Sequence, residues 1–448
     1  MHRVLPFVPT TRLLLLLLSV APLLLLGSLY RPLLLLALLG FVLVASVVVV
    51  DAMRAPKPAE LRITREHEPR LSIGERNAVR VRVDWRAAAS GSAPHARTLA
   101  VRDEAPPEIP NDGTVFSGTL QPGGVWETTY HLHPRRRGAY TFGALNVRLA
   151  SPLGLLLRQI RVPIDLPAHV YPNIIALRRY DLLTRRGQRA ELGMRRTRRI
   201  GEGTEFERLR EYQPDDDFRR INWKATARRG VPMTIEHEIE RSQHLMLAID
   251  AGRLMGTPAG DLQKGDHAIN AALLLAWVSQ QLGDKVGLLV FTDRVEHYIA
   301  PNRGQRHFRH LLETLYRIEM QPVESDPVRA LQELAHRQQR RSLIVTFTDI
   351  AESIEPGALI GALTMLRRRH LPLCVLVANP DTERMAHHTP DSLQATYEKV
   401  IATRLLDERR AITDAFERRG TLVLDVPAEN LSGALVNRYL EIKARTHL

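Results

Sequence analysis

His244-Leu-Met-Leu-Ala-Ile-Asp250, continued by Ala251-Gly-Arg-Leu-Met255, decides the fold. Residues 245–249 are apolar without alternation, as in a strand buried on both faces, and the run stops at a carboxylate. Downstream, residues 267–282 space their apolar side chains as a helix does, and residues 285–291 form a second apolar run. Helical spacing returns at 306–318 and 328–337, and Ser342-Leu-Ile-Val-Thr-Phe-Thr-Asp349 again closes on a carboxylate. A helix over 357–368, a strand over 373–377, a helix over 404–419, a strand over 421–425 and a closing helix over 430–443 complete the pattern. Strands alternating with helices predict a mostly parallel sheet covered on both faces. Binding sites in such sheets gather at the carboxyl ends of the strands, where Asp250 and Asp349 both fall.

Upstream the period changes. Ala78-Val-Arg-Val-Arg-Val-Asp-Trp85 alternates every second residue, and residues 126–133, 139–142 and 145–149 are similar. Asn111-Asp-Gly113, Pro122-Gly-Gly124 and Arg137-Gly138 separate them as turns. Short strands at this spacing predict a small antiparallel β-sandwich over 58–175. Between the two regions, Arg185, Arg186, Arg189, Arg195, Arg196, Arg198 and Arg199 stand against Glu191 alone. That stretch reads as a basic linker, attracted to anionic lipid if held near a membrane. It lacks interleaved aromatic residues, so a specific nucleic-acid partner is not expected.

The N-terminus carries two 18-residue apolar runs, 13–30 and 33–50, separated by Arg31-Pro32. Each is roughly 27 Å long as a helix, close to the thickness of a bilayer's hydrocarbon. Backbone groups in lipid must be bonded internally, so both are expected to be transmembrane helices. Arg3 and Arg12 would suit a cleaved signal peptide, but a second full run follows at once with no small-x-small site. The turn holds only Arg31, whereas Arg3, Arg12, Arg54, Lys57, Arg62 and Arg65 flank the pair. The positive-inside rule then places both flanks and the soluble body in the cytoplasm.

Composition excludes a disulfide framework, because Cys374 is the single cysteine. Its neighbours, Leu371-Pro-Leu-Cys-Val-Leu-Val377, mark it as a packed strand thiol. The net charge of +13 favours anionic partners. No phosphate loop, His-Glu-x-x-His or Gly-x-Ser-x-Gly motif occurs, and Gly201-Glu-Gly203 is too short for a dinucleotide turn. No catalytic residue is assigned.

The block Gly203-Thr-Glu-Phe-Glu-Arg-Leu-Arg-Glu-Tyr212, continued by Gln213-Pro-Asp-Asp-Asp-Phe-Arg-Arg-Ile-Asn-Trp-Lys-Ala-Thr-Ala-Arg228, resembles the signature of domain-of-unknown-function family 58. Asp215 stands where that family has Gly, and Asn222 where it has Asp. The stretch Leu247–Met255 with its α/β surroundings resembles a von Willebrand factor A domain, a Rossmann-like parallel sheet. Together with the anchor, the resemblance implies a protein of the bacterial inner membrane associated with a MoxR-type AAA+ ATPase, acting in assembly or maturation of other proteins or of the envelope. The domain plan is therefore 1–57 anchor, 58–175 sandwich, 176–242 basic linker and signature block, and 243–448 α/β body.

The resemblance also implies a divalent-cation site of the form Asp-x-Ser-x-Ser with a distant Thr and a distant Asp. Asp250 and Asp349 match, but Gly252 and Leu254 bring no side-chain oxygen, and no Thr can be placed around Gly304-Gln-Arg-His307. A hard ion needs several oxygens, so no cofactor is expected, with Mg²⁺ or Mn²⁺ as the alternative. Arg253 is the expected cation substitute, paired with Asp250 or Asp349, with Asp250 merely capping the following loop as the alternative. In the signature block Asp217 is the expected helix cap, with Asp215 and Asp216 adding charge at the helix start. Ile221 and Trp223 are expected core anchors, and Arg219, Arg220, Lys224 and Arg228 are expected to pair with Glu205, Glu207 or Glu211. The competing reading makes Glu205, Phe206, Arg210, Glu211, Tyr212, Asp216, Arg220, Asn222, Trp223, Lys224 and Arg228 a docking surface for a protein. A membrane-anchored interaction module is the expected function, with a metal-dependent adhesion module and an enzyme with an unrecognised site as alternatives.

Overall fold

A computed structural model describes residues 6–27, 31–86, 96–185, 205–213, 218, 221–238, 243–349 and 356–445. The chain divides into two units, Met1–Asn173 and Ile174–Leu448.

The first unit opens with strand β1 (Phe7–Pro9), followed by helices α1 (Thr11–Gly27) and α2 (Arg31–Met53). Helix α2 is long and apolar enough to cross a membrane; α1 is apolar but shorter, with Pro22 inside it. Leu35, Leu39 and Leu43 of α2 are largely exposed, a surface that water would disfavour. Ten strands follow: β2 (Leu61–His67), β3 (Arg70–Ser72), β4 (Asn77–Trp85), β5 (Arg97–Asp103), β6 (Val115–Leu120), β7 (Val125–Leu132), β8 (Gly138–Thr141), β9 (Leu145–Ala150), β10 (Leu156–Val162) and β11 (Pro167–Tyr171). They form sheets of order β1-β10-β9-β5-β6, β2-β4-β7 and β3-β11-β8. The period-two pattern of β4 holds: Val79, Val81 and Val83 are buried, while Arg80 and Arg82 point outward. In the core, Arg65 pairs with Asp103, the Tyr130 hydroxyl donates to Asp103 at 2.8 Å, and Phe142 lies 4.5 Å from the guanidinium.

The sequence divided the chain at residue 58, but the N-terminal helices and the strands that follow belong to one unit. Strand β1, ahead of the helices, pairs antiparallel with β10 (Val8 opposite Leu157). Asp51, at the end of α2, is buried and accepts from Ser151 Oγ at 2.5 Å, Leu153 N at 2.8 Å and Leu155 N at 3.2 Å. Thr10 Oγ1 donates to the carbonyls of Gly154 and Leu155, which ties the start of α1 to the same turn.

The second unit starts with α3 (Ile174–Arg185), whose Tyr180 meets Trp277 edge-on at 5.9 Å. The expected linker therefore begins as a packed helix, and only Arg185 of its arginines is described. Next come β12 (Glu205–Glu211), α4 (Trp223–Arg229), β13 (Met233–Glu238), β14 (His244–Asp250), β15 (Pro258–Ala259), β16 (Leu262–Gln263), α5 (Lys264–Gln281), β17 (Lys285–Phe291), β18 (Val295–Asn302), α6 (Gln305–Arg317) and α7 (Pro327–Arg337). The chain continues through β19 (Ser342–Thr348), α8 (Pro356–Leu366), β20 (Leu371–Ala378), α9 (Pro380–His387), α10 (Leu393–Arg418), β21 (Leu422–Pro427) and α11 (Leu431–Arg445). The main sheet runs β18-β17-β14-β19-β20-β21, parallel except for the edge strand β18. Met246, Ala248, Phe291, Ile344 and Cys374 share one face with Leu331 of α7, Leu363 of α8 and Phe416 of α10. Cys374 is fully buried, and burial pushes its thiol up to about 12, in keeping with a packed strand residue. Strand β18 and helix α9 were not legible, and α10 starts eleven residues earlier than residue 404, capped by Ser392 (Ala395 N to Oγ, 3.1 Å). In the added turns Leu393, Tyr397, Val400 and Ile401 keep helical spacing yet are exposed.

Candidate functional site

Parallel registry brings the ends of β14 and β19 side by side, so Asp250 and Asp349 meet at the carboxyl edge of the sheet. Asp250 is only 2 % exposed. Its Oδ1 accepts from Gly252 N at 2.8 Å and from the Ser325 hydroxyl, and its Oδ2 accepts from Thr348 Oγ1 at 2.8 Å. Ser325 reaches it because the loop before α7 is bonded to the loop after β14: Gln321 N donates to Ala251 O at 2.7 Å, and Arg253 N to Val323 O at 2.9 Å. Burial pushes the Asp250 carboxyl above its ordinary range; the donors Ser325, Gly252 and Thr348 pull it back, and the neighbouring Asp349 charge raises it further.

Asp349 is bound by two cations. Lys264 Nζ, at the first residue of α5, lies 2.5 Å from Oδ2, and Arg409 Nη1, on α10, lies 3.0 Å from Oδ1. Arg409 Nε reaches Asp425 Oδ1 on β21 at 2.8 Å. Burial opposes the Arg409 charge, but the Asp349 and Asp425 carboxylates outweigh it and hold its pKa above the ordinary value. Two strands and two helices thus converge on one network of charges, in which Arg409 Nη2 is buried without a hydrogen-bond partner among the described residues.

The expected cation substitute is corrected by this network. Arg253 is exposed on the loop after Asp250 and touches neither carboxylate among the described residues, because Lys264 and Arg409 approach from helices that close over the strand ends. The residues also do not fit a divalent cation. A Cβ built on Gly252 would lie 2.0 Å from Ser325 Oγ and 2.8 Å from Val323 O, so the hydroxyl of a serine at 252 would compete for space that Ser325 fills. Leu254 brings no oxygen, and the two carboxylates already receive hydroxyl, amide, ammonium and guanidinium donors. Residues 304–307 open α6, where His307 Nε2 lies 2.6 Å from Val286 O; the hydroxyl contributed by a loop is that of Ser325.

Sequence reasoning found Asp250 and Asp349 but missed Ser325, Thr348, Lys264, Arg409 and Asp425. Ser325 had a local signal in Ser325-Asp326-Pro327, where Asp326 caps α7 by accepting from Arg329 N at 2.9 Å. Asp425 closes the apolar run 421–425, the same strand-end carboxylate signal that marked Asp250 and Asp349, whereas Lys264 and Arg409 had only a place on a helix.

The signature block forms a two-stranded antiparallel hairpin, β12 with β13, around the short helix α4. Asn222, not Asp217, caps α4: its Oδ1 accepts from Ala225 N at 3.0 Å, as an aspartate oxygen would, and Gly230 ends the helix at φ 74°. Trp223 is 70 % exposed, which corrects its expected role as a core anchor; among the described residues the seven-residue helix α4 has no layer over its indole. Ile221 is half-buried, Glu211 exposed and Tyr212 half-buried. Lys224 and Arg228 are exposed and without ion-pair partners among the described residues, unlike the expected paired collar. Glu205, Phe206 and Arg210 lie on β12, while Asp215, Asp216, Asp217, Arg219 and Arg220 fall outside the described residues.

Residues 208–421 match the family described as "Protein of unknown function DUF58". The chain is 26% identical over 182 residues to "Uncharacterized protein Rv1480" of Mycobacterium tuberculosis (strain ATCC 25618 / H37Rv), covering 40% of this chain and 56% of that protein. It is 26% identical over 187 residues to "Uncharacterized protein YeaD" of Bacillus subtilis (strain 168), covering 42% and 44%. It thus spans about half the length of the curated relatives it matches. Among solved structures it is similar to BatB from Bacteroides thetaiotaomicron (TM-score 0.29, 13% identity, 46% of this chain and 100% of that one). It is also similar to PapD-like domain 7 of human CEP192 (TM-score 0.19, 15% identity, 27% and 88%).

Proposed function

We propose that the chain is a membrane-anchored protein-interaction module that binds rather than catalyses. The observation that carries this reading is the charge network at the strand ends. Its carboxylates are saturated by Ser325, Thr348, Lys264 and Arg409, which leaves a preorganised rim and no poised nucleophile or base. The α/β body is read as von Willebrand factor A-like, with the cation position rebuilt as an ion-pair network. Both N-terminal helices are read as entering the bacterial inner membrane, with the basic flanks and the body on the cytoplasmic side.

The partner proposed is a MoxR-type AAA+ ATPase, in assembly or maturation of other proteins or of the envelope. Helix α10 supports a protein partner: Leu393 (75 % exposed), Tyr397 (64 %), Val400 and Ile401 form an apolar stripe on the helix that also carries Arg409. A photo-crosslinker at Tyr397 or Val400, used in native membranes, should capture an AAA+ ATPase. Repeated absence of that ATPase from the cross-linked products overturns the partner. Calorimetric Mg²⁺ or Mn²⁺ binding that depends on Asp250 would instead favour the adhesion-type alternative.

A further inference from the structure

We propose that the groove formed where α2 meets β1 and β10 binds one anionic phospholipid, with its phosphate held between Lys57 and Arg158. The groove is open and about 690 Å³, lined by Phe7, Val49, Ala52, Met53, Lys57 and Arg158 among others. That volume falls within the range of small-ligand sites, about 300–1,000 Å³.

Its apolar wall is the last turn of α2, the helix able to cross a membrane, and Met53 there is 77 % exposed. Asp51 marks the depth at which the chain turns polar, because its carboxylate is buried in the turn between β9 and β10. An acyl chain lying along α2 would stay in hydrocarbon while its headgroup reached the groove.

Charge selects the headgroup. Two cations and no carboxylate line the groove, and neither cation has an ion-pair partner among the described residues. The Arg158 guanidinium lies 4.7 Å from the centroid of the Phe7 ring, a cation–π contact that fixes it over the groove. A planar guanidinium so held presents paired N–H groups to phosphate oxygens, and Lys57 adds a point charge. Basic pockets beside membrane helices recognise anionic headgroups in this way.

The inference rests on α2 entering a bilayer, so the test reads anchoring and lipid selection separately. Full-length protein in a neutral detergent is titrated with phosphatidylglycerol or phosphatidylcholine, and bound lipid is counted by native mass spectrometry. One phosphatidylglycerol should be retained in preference to phosphatidylcholine. Lys57→Gln and Arg158→Gln should each weaken retention about fivefold, and together on the order of 25-fold. Val49→Trp, which fills the groove and leaves both charges, should abolish retention, whereas Arg340→Gln with Arg341→Gln should not change it. Wild-type retention by the Lys57/Arg158 double variant, equal retention of phosphatidylcholine, or displacement by millimolar inorganic phosphate overturns the lipid site. Flotation with liposomes is scored in parallel: wild-type protein that fails to float overturns the membrane reading itself.

Discussion

Gly252 is the position where steric and electrostatic arguments meet most sharply. A methyl group there would lie 2.0 Å from Ser325 Oγ and 2.8 Å from Val323 O. Gly252→Ala must therefore expel the Ser325 hydroxyl from Asp250 and push the 321–325 loop outward. The lost hydroxyl–carboxylate hydrogen bond costs about 1.5–3 kcal/mol. Overpacking against the Val323 carbonyl adds about 1–3 kcal/mol. The single variant should thus lose about 3–5 kcal/mol in the second unit. Ser325→Ala alone loses only the hydrogen bond, about 1.5–3 kcal/mol. In the double variant the hydroxyl is already gone and the 2.0 Å overlap with it, so the costs should fall short of additive by about 1–2 kcal/mol. Amide hydrogen exchange of full-length protein, read on peptides from β14 and β19, measures each loss locally. Strict additivity within about 0.5 kcal/mol, or a Gly252→Ala cost below that figure, would refute the claim that Ser325 fills the space a serine at 252 would need.

Three further outcomes follow from the same geometry. In the same exchange assay Lys264→Met should cost about 1.5–3 kcal/mol, because Asp349 loses one charge-assisted bond but keeps Arg409, and Lys264→Met with Asp349→Leu should not recover that loss, since it leaves Arg409 with Asp425 alone. Because the Asp250 pKa is raised in the fold, its contribution to stability is complete below the ordinary carboxylate range and is lost as pH rises through the raised value. Asp250→Asn should therefore gain stability relative to wild type at neutral pH, and the gap should narrow on acidification; a gap that widens would contradict the assignment. Asp51→Ala removes the acceptor for Ser151, Leu153 and Leu155, so exchange and protease cleavage should rise at residues 151–156, with Asp51→Asn intermediate.

Much of the fold was written in local pattern. The five unbroken apolar residues before Asp250 and the alternation of Asn77–Trp85 each report burial through a pattern that neighbouring residues alone define. Asp250 and Asp349 were legible as site residues because a parallel sheet puts strand ends together whatever the rest of the chain does. Local pattern failed where burial depended on a further layer: Trp223 resembles an anchor, yet among the described residues α4 has no layer over its indole. It failed again at the first turns of α10, whose apolar residues keep helical spacing yet are exposed.

Sequence by itself determined the strand–helix alternation, the buried thiol at Cys374, and the absence of side-chain oxygens at Gly252 and Leu254. Only the tertiary structure decided which groups surround Asp250 and Asp349. Lys264, Ser325, Arg409 and Asp425 lie far apart in the chain and converge through long-range packing of α5, the loop before α7, α10 and β21. The nearest arginine in sequence, Arg253, was the natural candidate, but charge pairing is set by distance in space. At the strand ends that distance is fixed by which helices close over the sheet, a choice that no window of neighbouring residues encodes.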